Sequence, residues 1–208
     1  LEYHRGTYTT QSRNKRANRK AEFALHDAEF LASFASHLDP NYAYPSETFT
    51  QAWRLVCLNQ FHDIIPGSSI GQVYVDSLSQ YADVQQMTDA VRDQALACIA
   101  AKVDGDWLLV NPTSFTRSDP AFLPGDFSCG LERDCRALLI QPVEGGILVD
   151  AGELPPYSVI PLHSTEASPP VPASSPKVDD NSLENTRTST GVRGLRRTPE
   201  LVEEFSST

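Results

Sequence analysis

Three stretches within the first 103 residues repeat their apolar side chains at helical spacing. The first runs from Arg13 to Leu38, with apolar positions seven, four and four residues apart at Phe23, Phe30, Phe34 and Leu38. Five basic residues crowd its first turns, at Arg13, Lys15, Arg16, Arg19 and Lys20. They oppose the positive end of the helix dipole, so they indicate either a solvated basic face or a start placed beside acidic groups or an anion.

Two further helices are predicted downstream. The second begins at Ser46 as N-cap, has Glu47 in its first turn and runs to about Ile65, where Pro66-Gly67 stops it. The third runs from Asp76 to Val103, with apolar residues three or four positions apart at Val84, Met87, Val91, Ala95 and Cys98. Together the three helices predict a bundle over residues 1–103.

After residue 103 the pattern changes to short apolar runs closed by proline or glycine. The stretches "DWLLVNP", "CRALLIQP" and "GGILVDAGELPPYSVIPL" predict strands, with a hairpin turn at Gly145-Gly146. We therefore expect an α+β multi-domain fragment, in which a small antiparallel, β-sandwich-like domain covers residues 104–163. The Pro/Ser-rich stretch that follows predicts a linker and a disordered, irregular tail over residues 164–208.

Composition restricts the kinds of partner that this protein can bind. The net charge of −10 disfavours nucleic acid, which is bound by basic side chains, and no apolar run is long enough to span a membrane. The four cysteines lack the CxxC spacing of a zinc ribbon, so we expect reduced thiols and a cytoplasmic protein. A disulfide between Cys129 and Cys135 is the alternative for an oxidising compartment.

The pair His62-Asp63, in "LNQFHDIIPGSS", is the strongest candidate for chemistry. Imidazole binds zinc, and a neighbouring carboxylate can bind metal, accept a sugar hydroxyl or orient the ring. One histidine is not a metal site, however, and none of the other four forms an HxH or HxxxH pair with it. Only convergence of carboxylates such as Asp27, Glu29 or Asp76 would complete a site, and spacing alone favours a hydrogen-bonded, partly buried histidine near a helix end. The following Ser68-Ser69 indicates a turn, because a nucleophile elbow is absent.

Two stretches in this order, "EYHRGTYTTQSRNKRANRKAEF" and "RLVCLNQFHDIIPGSSIGQVYVDSLSQY", resemble the middle region of the glycoside hydrolase family 38 α-mannosidases, cytosolic and bacterial branch. The segment "DWLLVNPTSFTRSD" is similar to the first strand of the β region that follows in this family. The resemblance implies a zinc-dependent, retaining exo-α-mannosidase that acts on terminal mannosides of oligosaccharides by double displacement. It implies His62 as a zinc ligand, Asp63 as a contact to mannose hydroxyls and His4 as a residue lining the same pocket.

The resemblance also implies what this chain lacks. The family's nucleophile, acid/base and Asp-x-Asp zinc pair belong to an N-terminal α/β domain, so we expect a fragment that is inactive alone and has that domain as its partner. We also expect residues after Asn185 to be read in a shifted frame, because "LEN" is not followed by the family's strand pattern. The alternative is a noncatalytic helical and β interaction module. An apolar surface beside His62 would favour the enzyme fragment, and an evenly polar one would favour the module.

Overall fold

A computed structural model describes residues 10–166 and the backbone of residues 193–196. The chain divides into two units, residues 1–99 and 100–208, close to the boundary predicted after Val103. The first unit contains three helices, α1 (Ser12–Leu38), α2 (Ser46–Asn59) and α3 (Gly71–Lys102, which continues past the division). The predicted succession of three helices followed by an antiparallel β region is confirmed.

Helix α1 has nearly the predicted bounds, but it buries a different face. Phe23 is 39% exposed, and Phe30, Phe34 and Leu38 are only half-buried. Most of its buried positions are instead alanines, at Ala21, Ala28, Ala32 and Ala35, with Leu25 and Leu31 among them. Side chains this small let the neighbouring helices approach closely, whereas phenylalanine would hold them apart. The prediction that the aromatic residues form the packed face was wrong.

Helix α2 begins and ends differently from the prediction. Ser46 is its first residue and Pro45 precedes it, with no side-chain hydrogen bond capping the end. Proline suits this position because it has no N–H to leave unpaired. The helix ends at Asn59, well before Pro66, so His62 and Asp63 lie beyond the helix in the loop that follows.

The predicted buried face of α3 is largely confirmed and extends further. Val84, Val91 and Ala95 are buried, and Met87 and Cys98 are half-buried. The stripe continues toward the start of the helix with Tyr74, Ser77 and Tyr81. The sequence pattern missed these three residues because each has a polar hydroxyl group and was not counted as apolar.

In the part of the second unit that the structure describes, there are eight strands. They are β1 (Trp107–Asn111), β2 (Ala121–Pro124), β3 (Gly130–Arg133), β4 (Arg136–Ala137), β5 (Leu139–Val143), β6 (Gly146–Asp150), β7 (Ser158–Thr165) and β8 (Arg193–Arg196). Their order is β4-β3-β7-β1-β8-β2-β6-β5, and every pairing except β2 with β8 is antiparallel. The β-sandwich-like layering stays a prediction.

Strand β1 is central, and all five of its residues are buried. Trp107 and Leu109 join a core to which β2, β6 and β7 contribute Leu123, Val149 and Leu162. Strands β2 and β3 were not predicted, because "AFLP" and "GLER" are too short to show a period. Strand β8 lies within the predicted irregular tail; the rest of the tail from residue 167 onward lies outside the described residues.

The strand register tests two predictions, the hairpin at Gly145-Gly146 and the alternative Cys129–Cys135 disulfide. Strands β5 and β6 pair through Val143 and Gly146, which confirms the predicted hairpin; its turn is Glu144-Gly145, one residue earlier than predicted, and Gly145 supplies the positive φ of 77°. Cys135 lies in the turn between β3 and β4, whereas Cys129 precedes the far end of β3. Four strand residues span roughly 13 Å, and a disulfide needs Cα atoms within about 7 Å, so the alternative Cys129–Cys135 bridge is wrong. Both are free thiols.

Candidate functional site

Residues 60–70 form the loop that carries His62 and Asp63 from α2 to α3. Its backbone makes successive tight turns, with Ile64 N–H donating to Phe61 O at 2.8 Å and Gly67 N–H to Ile64 O at 3.1 Å. Gly67 adopts φ 98°, and a Cβ there would lie 2.6 Å from Cγ2 of Thr10. Only glycine therefore fits where the loop passes the chain just before α1.

Side chains on both sides of the loop hold its backbone. The Ser69 hydroxyl donates to Asp63 O at 2.5 Å, and the Ser68 hydroxyl donates to the same oxygen at 3.3 Å. Tyr74 in the first turn of α3 accepts the Ser69 N–H at 3.0 Å and donates to Ile64 O at 3.2 Å. Both serine hydroxyls are engaged with backbone, as the turn interpretation predicted.

The loop holds its two candidate side chains in solvent. The side chains of His62 and Asp63 are 78% and 63% exposed, and Nε2 of the imidazole lies 3.5 Å from Oδ2 of the carboxylate. The imidazole also packs against Phe61, with ring centroids 4.2 Å apart. Because the backbone is fastened and the side chains are not covered, the pair is available to a ligand or partner.

A metal needs more ligands than this loop offers. Within residues 10–166, no three histidine, cysteine or acidic side chains converge. The three carboxylates proposed from sequence have other partners: His26 contacts Asp27 at 3.2 Å, Trp53 donates to Glu29 at 2.8 Å, and Gln72 donates to Asp76 at 2.8 Å. The donors here fit a zinc site in type but not in number, since His62 can supply one imidazole and Asp63 one carboxylate.

Gln60, two residues before His62, ties the end of α2 to α1. Its amide donates to Asn18 Oδ1 at 3.1 Å and to Glu22 Oε1 at 2.8 Å. Tyr81 of α3 donates to the same Asn18 oxygen at 3.0 Å. Burial, with a smaller effect of the Glu22 carboxylate, raises the pKa of Tyr81 well above its usual range, so the phenol stays a donor.

Two further polar pairs lie inside the bundle at the same end. Ser77 of α3 donates to Asn14 of α1 at 2.5 Å, and both residues are 1% exposed. Asn59, also 1% exposed, donates to Gln80 of α3 at 2.8 Å. Sequence analysis missed these residues; the available signal was Asn14 and Ser77 standing where the helical stripes predict apolar residues.

Large apolar side chains are exposed around the same loop. Among the described residues, half of the exposed large hydrophobic side chains lie between the last turn of α2 and the second turn of α3, at Leu58, Phe61, Ile70, Val75 and Leu78. Ile70 is 73% exposed and Phe61 is 50% exposed. We call these five residues the apolar rim. A surface of this kind marks an interaction site, which is the outcome expected for an enzyme fragment.

The other predicted site residue cannot be placed, because His4 lies outside the described residues. The basic start of α1 is mainly solvated, with Arg13, Arg16 and Lys20 exposed. Lys15 donates to Pro66 O at 3.4 Å and so contributes to holding the loop. Arg19 pairs with Glu22 at 3.0 Å. Both sequence interpretations therefore hold in part, since one acidic neighbour is present beside a solvated face.

Comparison with known proteins finds α-mannosidases that are similar to the helical unit and its loop. The family model of the α-mannosidase middle domain matches residues 2–99. Alpha-mannosidase 2C1 of Mus musculus and of Homo sapiens are each 36% identical over 126 residues, which are 60% of this chain and 12% of each relative. The alpha-mannosidase of Saccharomyces cerevisiae is 36% identical over 122 residues, 58% of this chain and 11% of that protein. This chain therefore spans only a small part of the length of these relatives.

Structural comparison extends the likeness in fold. A crystal structure of a glycosyl hydrolase family 38 protein from Enterococcus faecalis superposes with a TM-score of 0.68 and 17% identity. The superposition covers 82% of this chain and 26% of that protein. It therefore includes strands of the second unit as well as the helices. Among the described residues, no helix is both long and apolar enough to cross a membrane.

Proposed function

Because residues 2–99 belong to the α-mannosidase middle-domain family, we propose that the chain is one part of a zinc-dependent, retaining exo-α-mannosidase that removes terminal mannose from oligosaccharides. Its task is to supply His62 and Asp63 to an active site completed by an α/β domain. The observation that carries this proposal is the location of both side chains, exposed on a fastened loop, with the imidazole against the exposed ring of Phe61 from the apolar rim.

The chemistry of each residue suits that task. A neutral imidazole at His62 offers a nitrogen lone pair to zinc. A bound zinc ion would orient sugar hydroxyls by electrostatic attraction. The ionised Asp63 carboxylate only accepts hydrogen bonds, so it suits the hydroxyl groups of mannose. His4 is proposed to line the same pocket. The nucleophile and acid/base of a retaining glycosidase are carboxyl groups, and we assign neither to this chain.

The apolar rim gives the loop a docking surface. Leu58, Phe61 and Ile70 flank the two polar residues, so a domain that covers them would remove water from around the imidazole and carboxylate. Electrostatic contacts to a ligand strengthen when water is excluded. The noncatalytic interaction module would also use the rim, but it gives no reason for an exposed imidazole and carboxylate in the same loop. We propose a cytoplasmic location for the assembled enzyme, from the cysteine content given above.

The sharpest test replaces the middle domain of the Saccharomyces cerevisiae alpha-mannosidase by residues 1–102 of this chain. Hydrolysis of an aryl α-mannoside and zinc content by mass spectrometry are measured for this chimera. We expect His62→Ala to lower both, with at least a roughly 100-fold loss of kcat/KM, because the metal loses a ligand. Asp63→Asn should raise KM and retain zinc. His37→Ala, an exposed histidine at the far end of α1, is the matched control and should change neither.

An active chimera whose zinc content and kcat/KM are the same with and without His62 would refute the assignment. The chain by itself should not hydrolyse the aryl mannoside, and calorimetry should show weak zinc binding, because one imidazole does not make a tetrahedral site. Tight, stoichiometric zinc binding by the chain alone would mean that it has a full ligand set and would contradict the shared site.

A further inference from the structure

The hydroxyl of Tyr74 joins two points of the loop that carries His62 and Asp63. It accepts a hydrogen bond from the Ser69 N–H at 3.0 Å and donates one to Ile64 O at 3.2 Å. The tyrosine is 5% exposed and belongs to the buried stripe of α3, so packing inside the bundle fixes its ring. A helix residue therefore holds the loop at both ends of its second half.

The serine at the end of the loop extends these bonds into a closed ring. The Ser69 hydroxyl donates to Asp63 O at 2.5 Å, while its N–H donates to Tyr74. Tyr74 in turn donates to the carbonyl of Ile64, the residue that directly follows Asp63. We call Ser69 and Tyr74 the loop clip. Because peptide groups are planar, holding these two carbonyls limits the backbone rotations beside the Asp63 side chain.

The Asp63 side chain itself has little packing to orient it. Its carboxylate is 63% exposed, and Oδ2 lies 3.5 Å from Nε2 of His62, which is too long for a good hydrogen bond. The place that the carboxylate reaches is therefore set by its backbone. On a loop without such bonds, the carboxylate would sample many positions, and the conformational entropy lost on binding would weaken its contact with a ligand.

From this arrangement we propose that Tyr74 and Ser69 are positioning residues for substrate binding, which hold the backbone of Asp63 where its carboxylate meets the hydroxyls of mannose. The inference rests on the proposed function, in which Asp63 accepts hydrogen bonds from the sugar. It adds that the affinity for the sugar depends on a buried hydroxyl of α3. Ordering the loop before the ligand arrives raises affinity, because binding no longer has to offset that loss of entropy.

Backbone ¹⁵N relaxation of the full chain measures whether the clip holds the loop. We expect amide order parameters of about 0.85 at Asp63 and Ile64 in the unaltered chain, and below about 0.6 in Tyr74→Phe. Tyr81→Phe is the matched control, because Tyr81 is also 5% exposed on α3 and its hydroxyl donates to Asn18 instead of the loop. An unchanged order parameter at Asp63 in Tyr74→Phe would refute the inference.

The Saccharomyces cerevisiae chimera described above measures the consequence for the substrate. Tyr74→Phe should raise KM for the aryl α-mannoside about 5-fold, the change in equilibrium that one net hydrogen bond supports. It should leave kcat and zinc content unchanged, because the clip bonds the peptide groups that follow Asp63 and none of the atoms of His62. Partial unfolding would instead lower kcat and leave KM unchanged, and that result would overturn the positioning role.

A double-mutant cycle separates positioning from general support of the loop. If Tyr74 acts through Asp63, adding Tyr74→Phe to Asp63→Asn should not raise KM any further. A further rise of about 5-fold in the double variant would show a role independent of Asp63 and would overturn the inference. If Asp63→Asn alone leaves KM unchanged, the proposed sugar contact is wrong and the positioning role falls with it. An effect of Asp63→Asn without one of Tyr74→Phe refutes the positioning role alone.

Two neighbouring serines provide a second test that leaves the bundle interior untouched. Ser69→Ala removes the 2.5 Å hydroxyl bond to Asp63 O, whereas Ser68→Ala removes a bond of 3.3 Å to the same oxygen. We expect Ser69→Ala to raise KM and to lower the order parameter of Asp63, and Ser68→Ala to do so less, because the longer bond is weaker. The same KM in both variants and in the unaltered chimera would overturn the inference even if Tyr74→Phe failed to fold.

Discussion

The two units of this chain fill their cores differently. In α1 most of the buried residues are alanines, with Leu25 and Leu31 as the large side chains among them. The β core is made of large branched and aromatic residues such as Leu109, Leu123 and Trp107. Helices packed through alanine have no space for growth, whereas strands packed through leucine leave a cavity when a side chain is shortened. Shortening a leucine in the β core and enlarging an alanine in α1 should therefore both destabilise, the first by leaving a cavity and the second by overpacking.

The units also differ in the apolar residues they expose. In the second unit the exposed ones, Phe115, Leu139 and Tyr157, belong to separate elements or loops. In the first unit the apolar rim gathers such residues around one loop, next to His62 and Asp63. Isolated exposed hydrophobic residues are ordinary, but a cluster beside polar side chains indicates binding. The comparison thus separates a unit with a candidate site from a unit in which, among the described residues, exposed hydrophobic side chains are scattered.

The largest expected effect is a cavity in the β core. Leu109→Ala should lower the free energy of unfolding of the second unit by about 3 kcal/mol, because the side chain is fully buried against β7. Urea denaturation followed by the NMR signals of Val149 measures it. Leu139→Ala is the control, because Leu139 is 47% exposed. An equally small loss for both variants would mean that this core tolerates shortening.

Enlarging a residue in the helical core tests the other half of the comparison. Ala32→Leu should destabilise the first unit by about 2 kcal/mol, because its position is fully buried between close helices. The NMR signals of Val84 report the unfolding. Arg16→Leu, an exposed position on the same helix, is the matched control and should change stability by less than about 0.5 kcal/mol. A stabilised Ala32→Leu chain would show unfilled space between the helices.

Alkaline pH should also affect the stability of the two units differently. The pKa of Tyr81 is raised by burial, so above pH 10 the unfolded chain loses a phenol proton that the folded chain keeps. The first unit should therefore lose stability as pH rises beyond 10, by roughly 1.4 kcal/mol per pH unit for this group.

Tyr81→Phe checks this pH dependence, because it removes the titrating group. It should reduce the slope of unfolding free energy against pH. The slope should not vanish, because burial also raises the pKa of Tyr42 and Tyr44. Unfolding monitored between pH 9 and 11 for both chains measures the difference. An unchanged slope would mean that Tyr81 titrates alike in the folded and unfolded chain.

The smallest expected effect lies at the candidate site itself. His62→Ala and Asp63→Ala should change the unfolding free energy of the first unit by less than about 0.5 kcal/mol, because both side chains are exposed. Thermal unfolding compares them with Gln60→Ala, which removes two hydrogen bonds to α1 and should cost about 1 kcal/mol. A large loss in His62→Ala would assign the imidazole a structural role.

Sequence alone predicted the three helices and the change to antiparallel strands after them, because both depend on local period and on turn residues, but it missed β2, β3 and β8. It also predicted the match of residues 2–99 to the α-mannosidase middle domain, since "FHDIIPGSS" and "EYHRGTYTT" are local strings. It misassigned the face of α1, because hydrophobicity ranks phenylalanine above alanine while close helix packing favours the smaller side chain. Whether a face is packed depends on what lies opposite, which no window along one helix contains.

Tertiary structure alone decided the setting of His62 and Asp63. The helix ends at Asn59, and Ser69, Tyr74 and Lys15 hold the loop from three different places in the sequence. Likewise, "RGLR" becomes a strand because β1 offers it backbone partners, not because its side chains favour one. Local propensity is encoded by neighbouring residues, whereas hydrogen bonds between distant segments exist only after the chain has folded, so their placement could not be predicted from the pattern.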